Sequence, residues 1–102
     1  MALRHIALFR WSEGVTPEQV AEVERTLSRL PAAIPQLDGY SFGPDLGIGP
    51  DTFDFAVVAD VADEDAYAAY RDHPEHQAAL DVIRPLIAER AAAQFRTDRA
   101  AT

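Results

Sequence analysis

Tyr70, Arg71, Asp72, His73, Glu75 and His76 stand within seven residues, interrupted only by Pro74. This stretch holds two of the chain's three histidines, so titratable chemistry is concentrated here more than elsewhere. A neutral imidazole near a phenol and carboxylates supplies the tools of general acid–base chemistry, the ring nitrogen being able to accept a proton. Pro74 biases His73 away from helical backbone angles, so one helix should close near Asp72 and a second open with Pro74 in its first turn. His76, Ala79, Leu80, Ile83 and Ile87 then recur on one helical face, which turns the imidazole inward with the apolar side chains. Near a helix N-terminus the dipole disfavours imidazolium, and the neutral ring is left able to act as a base.

Absent residue types narrow the chemistry further. There is no cysteine, hence no disulfide, thiolate nucleophile or sulfur-ligated metal. Every basic residue is an arginine, so a lysine Schiff base is excluded. Ser12, Ser28 and Ser41 lie outside any Gly-x-Ser-x-Gly pattern. Seventeen acidic against nine basic residues give a net charge of -8, which argues against nucleic acid or an anionic membrane as partner. No apolar run is long enough to cross a bilayer, and the expected location is the cytoplasm. His73-x-x-His76 with Asp72 and Glu75 contains metal-ligating types, but the proline prevents both rings from converging from one helical turn. Neither a metal nor another cofactor is expected.

At 102 residues the chain forms a single domain with a modest core. Leu3, His5, Ala7, Phe9 and Trp11 alternate with Arg4, Ile6, Leu8 and Arg10, the pattern of a central strand over residues 3–11. Thr16-Pro17-Glu18-Gln19 supplies a cap, a first-turn proline and a capping-box glutamine, and Val20, Val23, Leu27 and Leu30 extend that helix to Pro31. Residues 32–38 read as a connection, 39–42 as a short strand and 43–51 as a loop. Gly47-Ile48-Gly49 lacks the third glycine and following helix of a dinucleotide site. Residues 53–61 alternate as a second central strand, and Asp63 can cap a helix over 64–71. The helix bearing His76 should end or kink near Pro85. Residues 88–95 have helical propensity, yet the layered arrangement lacks a strand, so 90–96 is assigned as one and 97–102 as a frayed end. The order is then βαββαβ, an α+β ferredoxin-like fold with a four-stranded antiparallel sheet.

In that order the first and third strands are antiparallel neighbours. Setting Arg4 opposite Asp60 places Ile6 against Val58, Leu8 against Ala56 and Arg10 against Asp54. Helices can cover only one sheet face, and His5, Phe9, Phe55 and Val57 occupy it. The Ile6, Leu8, Ala56 and Val58 face needs another cover, and a second copy of the sheet is the simplest, giving a homodimer.

Several stretches together resemble the stress-responsive dimeric α/β barrel (Dabb) family. They are His5-Ile6-Ala7-Leu8-Phe9, Val15-Thr16-Pro17-Glu18-Gln19, Ile34-Pro35, Gly43, Tyr70-x-x-His73-Pro74-x-His76 and Phe95. The likeness spans residues 3 to 96 and implies a homodimeric barrel made from two sheets packed face to face. One branch resembles cofactor-independent polyketide cyclases, in which a histidine and a tyrosine matching His76 and Tyr70 act together beside a histidine matching His5. The resemblance implies His76 as base, Tyr70 as orienting or enolate-stabilising acid, and His5 as a ligand to substrate oxygen. Phe9, Leu27, Val57, Tyr67, His73 and Leu80 are the candidate substrate contacts. The implied activity is that of a cyclase, isomerase or lyase on a carbonyl-bearing or polyketide-like molecule. Two alternatives stand beside it: a noncatalytic stress-associated homodimer, and a cofactor-free barrel monooxygenase. Each residue also has a purely architectural role open to it: His76 and Tyr70 as a buried pair, His5 as a strand histidine under a helix, and His73 as the break between helices.

Overall fold

Alternation in the first residues produces β1 (Ala2–Trp11) in the computed structural model, which describes residues 2–97. Leu3, His5, Ala7 and Phe9 are buried, whereas Arg4, Ile6, Leu8 and Arg10 are only partly so. After the turn at Ser12–Gly14, α1 (Pro17–Ser28) opens on a reciprocal capping box. The Gln19 amide donates to Thr16 Oγ1 at 3.2 Å, and the Thr16 amide donates to Gln19 Oε1 at 2.8 Å. Val23 and Leu27 face the core. The expected continuation to Pro31 does not occur: α1 stops at Ser28, and α2 (Leu30–Ala33) starts afresh with Pro31 in its first turn. Proline is tolerated there because its missing N–H would have no intrahelical acceptor. The restart takes over the beginning of the expected connection and buries Leu30 and Ile34.

β2 (Gly39–Pro44) and β3 (Phe55–Val61) follow. β3 begins two residues later than its alternation predicts, because Asp54 is turned toward the end of β1. Its amide donates to the Phe9 carbonyl, and its carboxylate accepts from the Trp11 amide, both at 2.9 Å. That geometry also removes the expected Arg10–Asp54 pair. Arg10 donates instead to Glu89 at 2.9 Å and to the Thr52 carbonyl at 3.2 Å, with its guanidinium 4.3 Å from the Phe53 ring centroid.

Asp63 caps α3 (Glu64–Asp72) by accepting from the Ala66 amide at 2.8 Å. The His73-Pro74 break separates it from α4 (Pro74–Ile83), which ends at Ile83 and passes into a 3₁₀ turn over Arg84–Leu86 that contains Pro85. β4 (Ile87–Thr97) is longer at both ends than the assigned 90–96. Thr97, taken as the start of the frayed end, belongs to this strand, and 98–102 lie outside the described residues.

The strands form one antiparallel sheet in the order β2-β3-β1-β4, a ferredoxin-like fold. Arg4 faces Asp60, Ile6 faces Val58 and Leu8 faces Ala56, the register expected from the charge pattern. Arg4 closes a two-point ion pair on Asp60 at 2.7 and 3.1 Å. Helices cover the face bearing Leu3, His5, Ala7 and Phe9, where Phe55, Leu30, Ile34, Ile83, Val23 and Val61 form the deepest packing. On the other face, Ile6 and Leu8 meet Ala93 and Ala91 of β4, and Arg4 lies opposite the half-exposed Phe95. No helix among the described residues covers that apolar surface.

Candidate active site

The proline break delivers Tyr70 from the last turn of α3 and His76 from the first turn of α4 to the same space above β1. Their ring centroids are 4.4 Å apart. His5 rises from the sheet below, 5.3 Å from Tyr67 and 6.5 Å from Tyr70 between ring centroids. All three candidate catalytic residues line one cavity of about 440 Å³ between helices and sheet. Of the expected contacts, Phe9, Leu27, Val57, Tyr67 and Leu80 also line it. His73 does not. Its Nδ1 accepts from the Glu75 amide at 3.1 Å, so this side chain caps α4 instead of facing a ligand.

Hydrogen bonds assign distinct roles to the buried His5 and the half-buried His76. The Arg71 carbonyl can only accept, so His76 Nδ1 donates to it at 2.8 Å, and the ring's lone pair is left on Nε2. Gln77 Nε2 donates to the same carbonyl at 2.8 Å and holds it in place. At His5 the order is reversed: Gln94 Nε2 donates to Nδ1 at 2.8 Å, leaving the proton on Nε2. One ring is therefore set as an acceptor and the other as a donor.

Electrostatics keep both rings neutral at neutral pH. Burial, reinforced by Arg90 and His76, lowers the His5 pKa to about 4. Burial also lowers that of His76, opposed by the Arg71 carbonyl bond and Asp72 and assisted by Arg84 and Arg90. Tyr70 is pushed up, chiefly by burial, and remains a protonated donor. Tyr40 is raised for the same reason. Its buried hydroxyl has no hydrogen-bond partner of good geometry, although the Tyr70 hydroxyl is near enough to perturb it. An unsatisfied buried hydroxyl costs about 1–3 kcal/mol, and a ligand oxygen could relieve that cost.

Tyr40, Arg84 and Arg90 were not anticipated as lining residues, nor Gln94 as the orienting partner of His5. Tyr40 was legible in principle, because it shares the inward face of β2 with Phe42. Arg90 and Gln94 needed the register of β4, which places them beside Phe9 and His5. Among the described residues no three His, Asp or Glu side chains are grouped to hold a metal ion. The arrangement can accept a proton at His76 and donate hydrogen bonds from Tyr70, Tyr40 and His5 to oxygen. With its pKa lowered, His76 favours the neutral form at neutral pH and is a weaker base than free imidazole, so it depends on those donors to stabilise the product anion.

Comparison with known proteins agrees with this architecture. A crystal structure of a dimeric ferredoxin-like protein of unknown function from Thermobifida fusca superposes with a TM-score of 0.90. It is 57% identical, covering 95% of this chain and 92% of that one. An uncharacterised protein of Streptomyces coelicolor is 33% identical over 85 residues, 80% of this chain and 87% of its own length. Hydroxynitrile lyase from Passiflora edulis shares the fold with a TM-score of 0.84 at 16% identity, covering 97% of this chain and 95% of the other. The family model of the stress responsive A/B barrel domain matches residues 3–97, and the chain belongs to that Dabb family.

Proposed function

We propose that this protein is a homodimeric small-molecule-binding barrel that moves a proton on a carbonyl-bearing ligand, in the manner of a cofactor-independent cyclase, isomerase or lyase. The observation that carries this reading is the commitment of the His76 Nδ1 proton to the Arg71 carbonyl. It leaves Nε2 as a neutral base in a cavity also lined by Tyr70, Tyr40 and His5. His76 takes the proton α to the carbonyl, while the phenols and the His5 Nε2 proton donate to the enolate oxygen. That a lyase uses the same fold gives the reading further support.

The dimer is inferred from the open sheet face. Ile6, Leu8, Ala56 and Val58 are half-buried within one chain and have no helical cover. Packing against a second copy would remove them from water, and the dimeric Thermobifida fusca relative supports this assembly.

The experiment follows deuterium incorporation next to the ketone of 4-oxo-4-phenylbutanoate in D₂O by proton NMR. Wild-type protein should exchange this position above buffer background, and His76→Ala should lower the rate by about 100-fold or to background. Exchange no faster with wild type than with His76→Ala would remove the catalytic role. A noncatalytic binding dimer is favoured by one observation, the close Tyr70–His76 ring contact, which serves packing without any proton transfer. The same exchange measurement separates the two.

A further inference from the structure

Cations are distributed unevenly among the arginines. Arg4, Arg10, Arg25, Arg71 and Arg96 are each paired with a carboxylate. Among the described residues, Arg29, Arg84 and Arg90 have no such partner, and both Arg84 and Arg90 line the cavity that holds His76. Arg71 and Asp72 also line it but neutralise each other through bonds of 2.9 and 3.0 Å. With both histidines neutral, this wall carries two uncompensated positive charges in a chain whose net charge is -8. Such an acidic body repels anions at long range, which makes a local excess of cations at one cavity stand out.

Placement sharpens the point. Arg90 pairs across the sheet with Phe9, so it projects from the helix-covered face of β4, and Arg84 sits on the 3₁₀ turn that leads into that strand. Both are exposed at the rim, whereas Leu27, Val57 and Ile83 deeper in the same cavity are buried. The cavity thus has an apolar interior and a cationic edge. Its phenols and imidazoles line the same space. The positive charge of both arginines also disfavours protonation of His76.

Building on the proton-transfer reading of this site, we infer that its ligand is an organic carboxylate, an apolar keto acid whose carboxylate is held by Arg84 and Arg90. A guanidinium offers planar paired donors that match a carboxylate, and charge-assisted bonds of this kind are about twice as strong as neutral ones. A carboxylate at the rim would also fix which carbon of the acyl chain meets His76 Nε2.

The test compares binding of 4-oxo-4-phenylbutanoate and its neutral primary amide by isothermal titration calorimetry. Wild-type protein should bind the carboxylate about tenfold more tightly, with the preference narrowing as salt is raised. R84Q and R90Q should each reduce it, and the double variant should erase it. R29Q removes an unpaired arginine away from the cavity and should leave the preference intact. Equal affinity for acid and amide, a preference that survives in the double variant, or no binding of either probe at millimolar concentration would overturn the inference. So would an equal loss in R29Q, which would mark a general charge effect. His76→Ala distinguishes the two proposals: it should abolish deuterium exchange and retain the carboxylate preference. Preference without exchange in the wild type would refute only the proton transfer, and exchange without preference would refute only the carboxylate.

Discussion

Acidification should destabilise this fold through His5 well before its carboxylates are titrated. The ring is 6% exposed and has a pKa of about 4, against 6.5 when unperturbed. Between those values the unfolded chain takes up a proton that the folded chain refuses. The stability contribution is therefore complete above pH 6.5, declines as pH falls toward 4, and levels off below that. At about 1.4 kcal/mol for each unit of pH, the interval sets a ceiling of about 3.5 kcal/mol. His5 borders an open cavity in which water can screen a developing charge, so about 2 kcal/mol is the more realistic loss. His76 acts in the same direction, because its pKa is also lowered by burial. Asp72, held below its ordinary value of 3.8 by Arg71, affects stability only under more acidic conditions.

The assay is urea unfolding followed by fluorescence of Trp11, the chain's single tryptophan, between pH 7.5 and 4 at fixed protein concentration. His5→Gln retains an amide that can pair with Gln94 and removes the titrating ring. At pH 7.5 the variant should be less stable by about 1 kcal/mol, the worth of packing and one hydrogen bond. By pH 4.5 that difference should vanish or reverse, because only the wild type has lost the His5 contribution. Parallel pH profiles for the two proteins would refute the reasoning, as would a His5 ring that titrates near 6.5 by NMR.

Three further outcomes are expected. Leu8→Asp, which places a charge at the centre of the open sheet face, should cost the proposed dimer on the order of 3 kcal/mol and yield monomer or aggregate on sedimentation; a dimer of unchanged stability would count against that interface. Tyr40→Phe deletes the buried unsatisfied hydroxyl, so thermal unfolding should show unchanged or slightly greater stability, by up to about 1 kcal/mol, while deuterium exchange slows; faster exchange would deny it a role at the ligand oxygen. Ala7→Leu should fill part of the cavity of about 440 Å³ and change stability by less than about 1.5 kcal/mol while calorimetric binding of 4-oxo-4-phenylbutanoate falls at least about tenfold; unaltered binding would place the ligand elsewhere.

Fold and register were legible wherever side-chain periodicity and local chemistry pointed the same way. Alternation along β1 and the Arg4–Asp60 pairing located the central strands and their relative shift, since a one-residue slip would expose the buried face. Thr16 and Gln19 marked the start of α1 because their capping bonds are local. The end of α1 was less legible, because Pro31 is compatible both with terminating one helix and with opening another. Arg10 was misassigned for a different reason. Opposite charges at matching strand positions suggested Asp54, but that carboxylate is occupied by a backbone amide, and Glu89 on the other neighbouring strand was available.

The residues missed around the cavity trace largely to β4. Ala88-Glu89-Arg90-Ala91-Ala92-Ala93 has the intrinsic preference of a helix, and its conformation here follows from pairing with β1. Local propensity could suggest neither which side chains face inward nor their cross-strand partners. Once the ladder forms, Arg90 and Gln94 fall on the helix-covered face, with Ala92 between them and opposite Ala7. Ala59 continues that small-residue surface: it lies opposite His5 on β3. Of these small residues Ala7 lines the cavity that Tyr70 and His76 also line and Ala59 is buried beside it, whereas Ala92 is exposed and lies outside the cavity. The strand whose local preference obscures it nevertheless supplies both the amide that orients His5 and an uncompensated cation at the cavity rim.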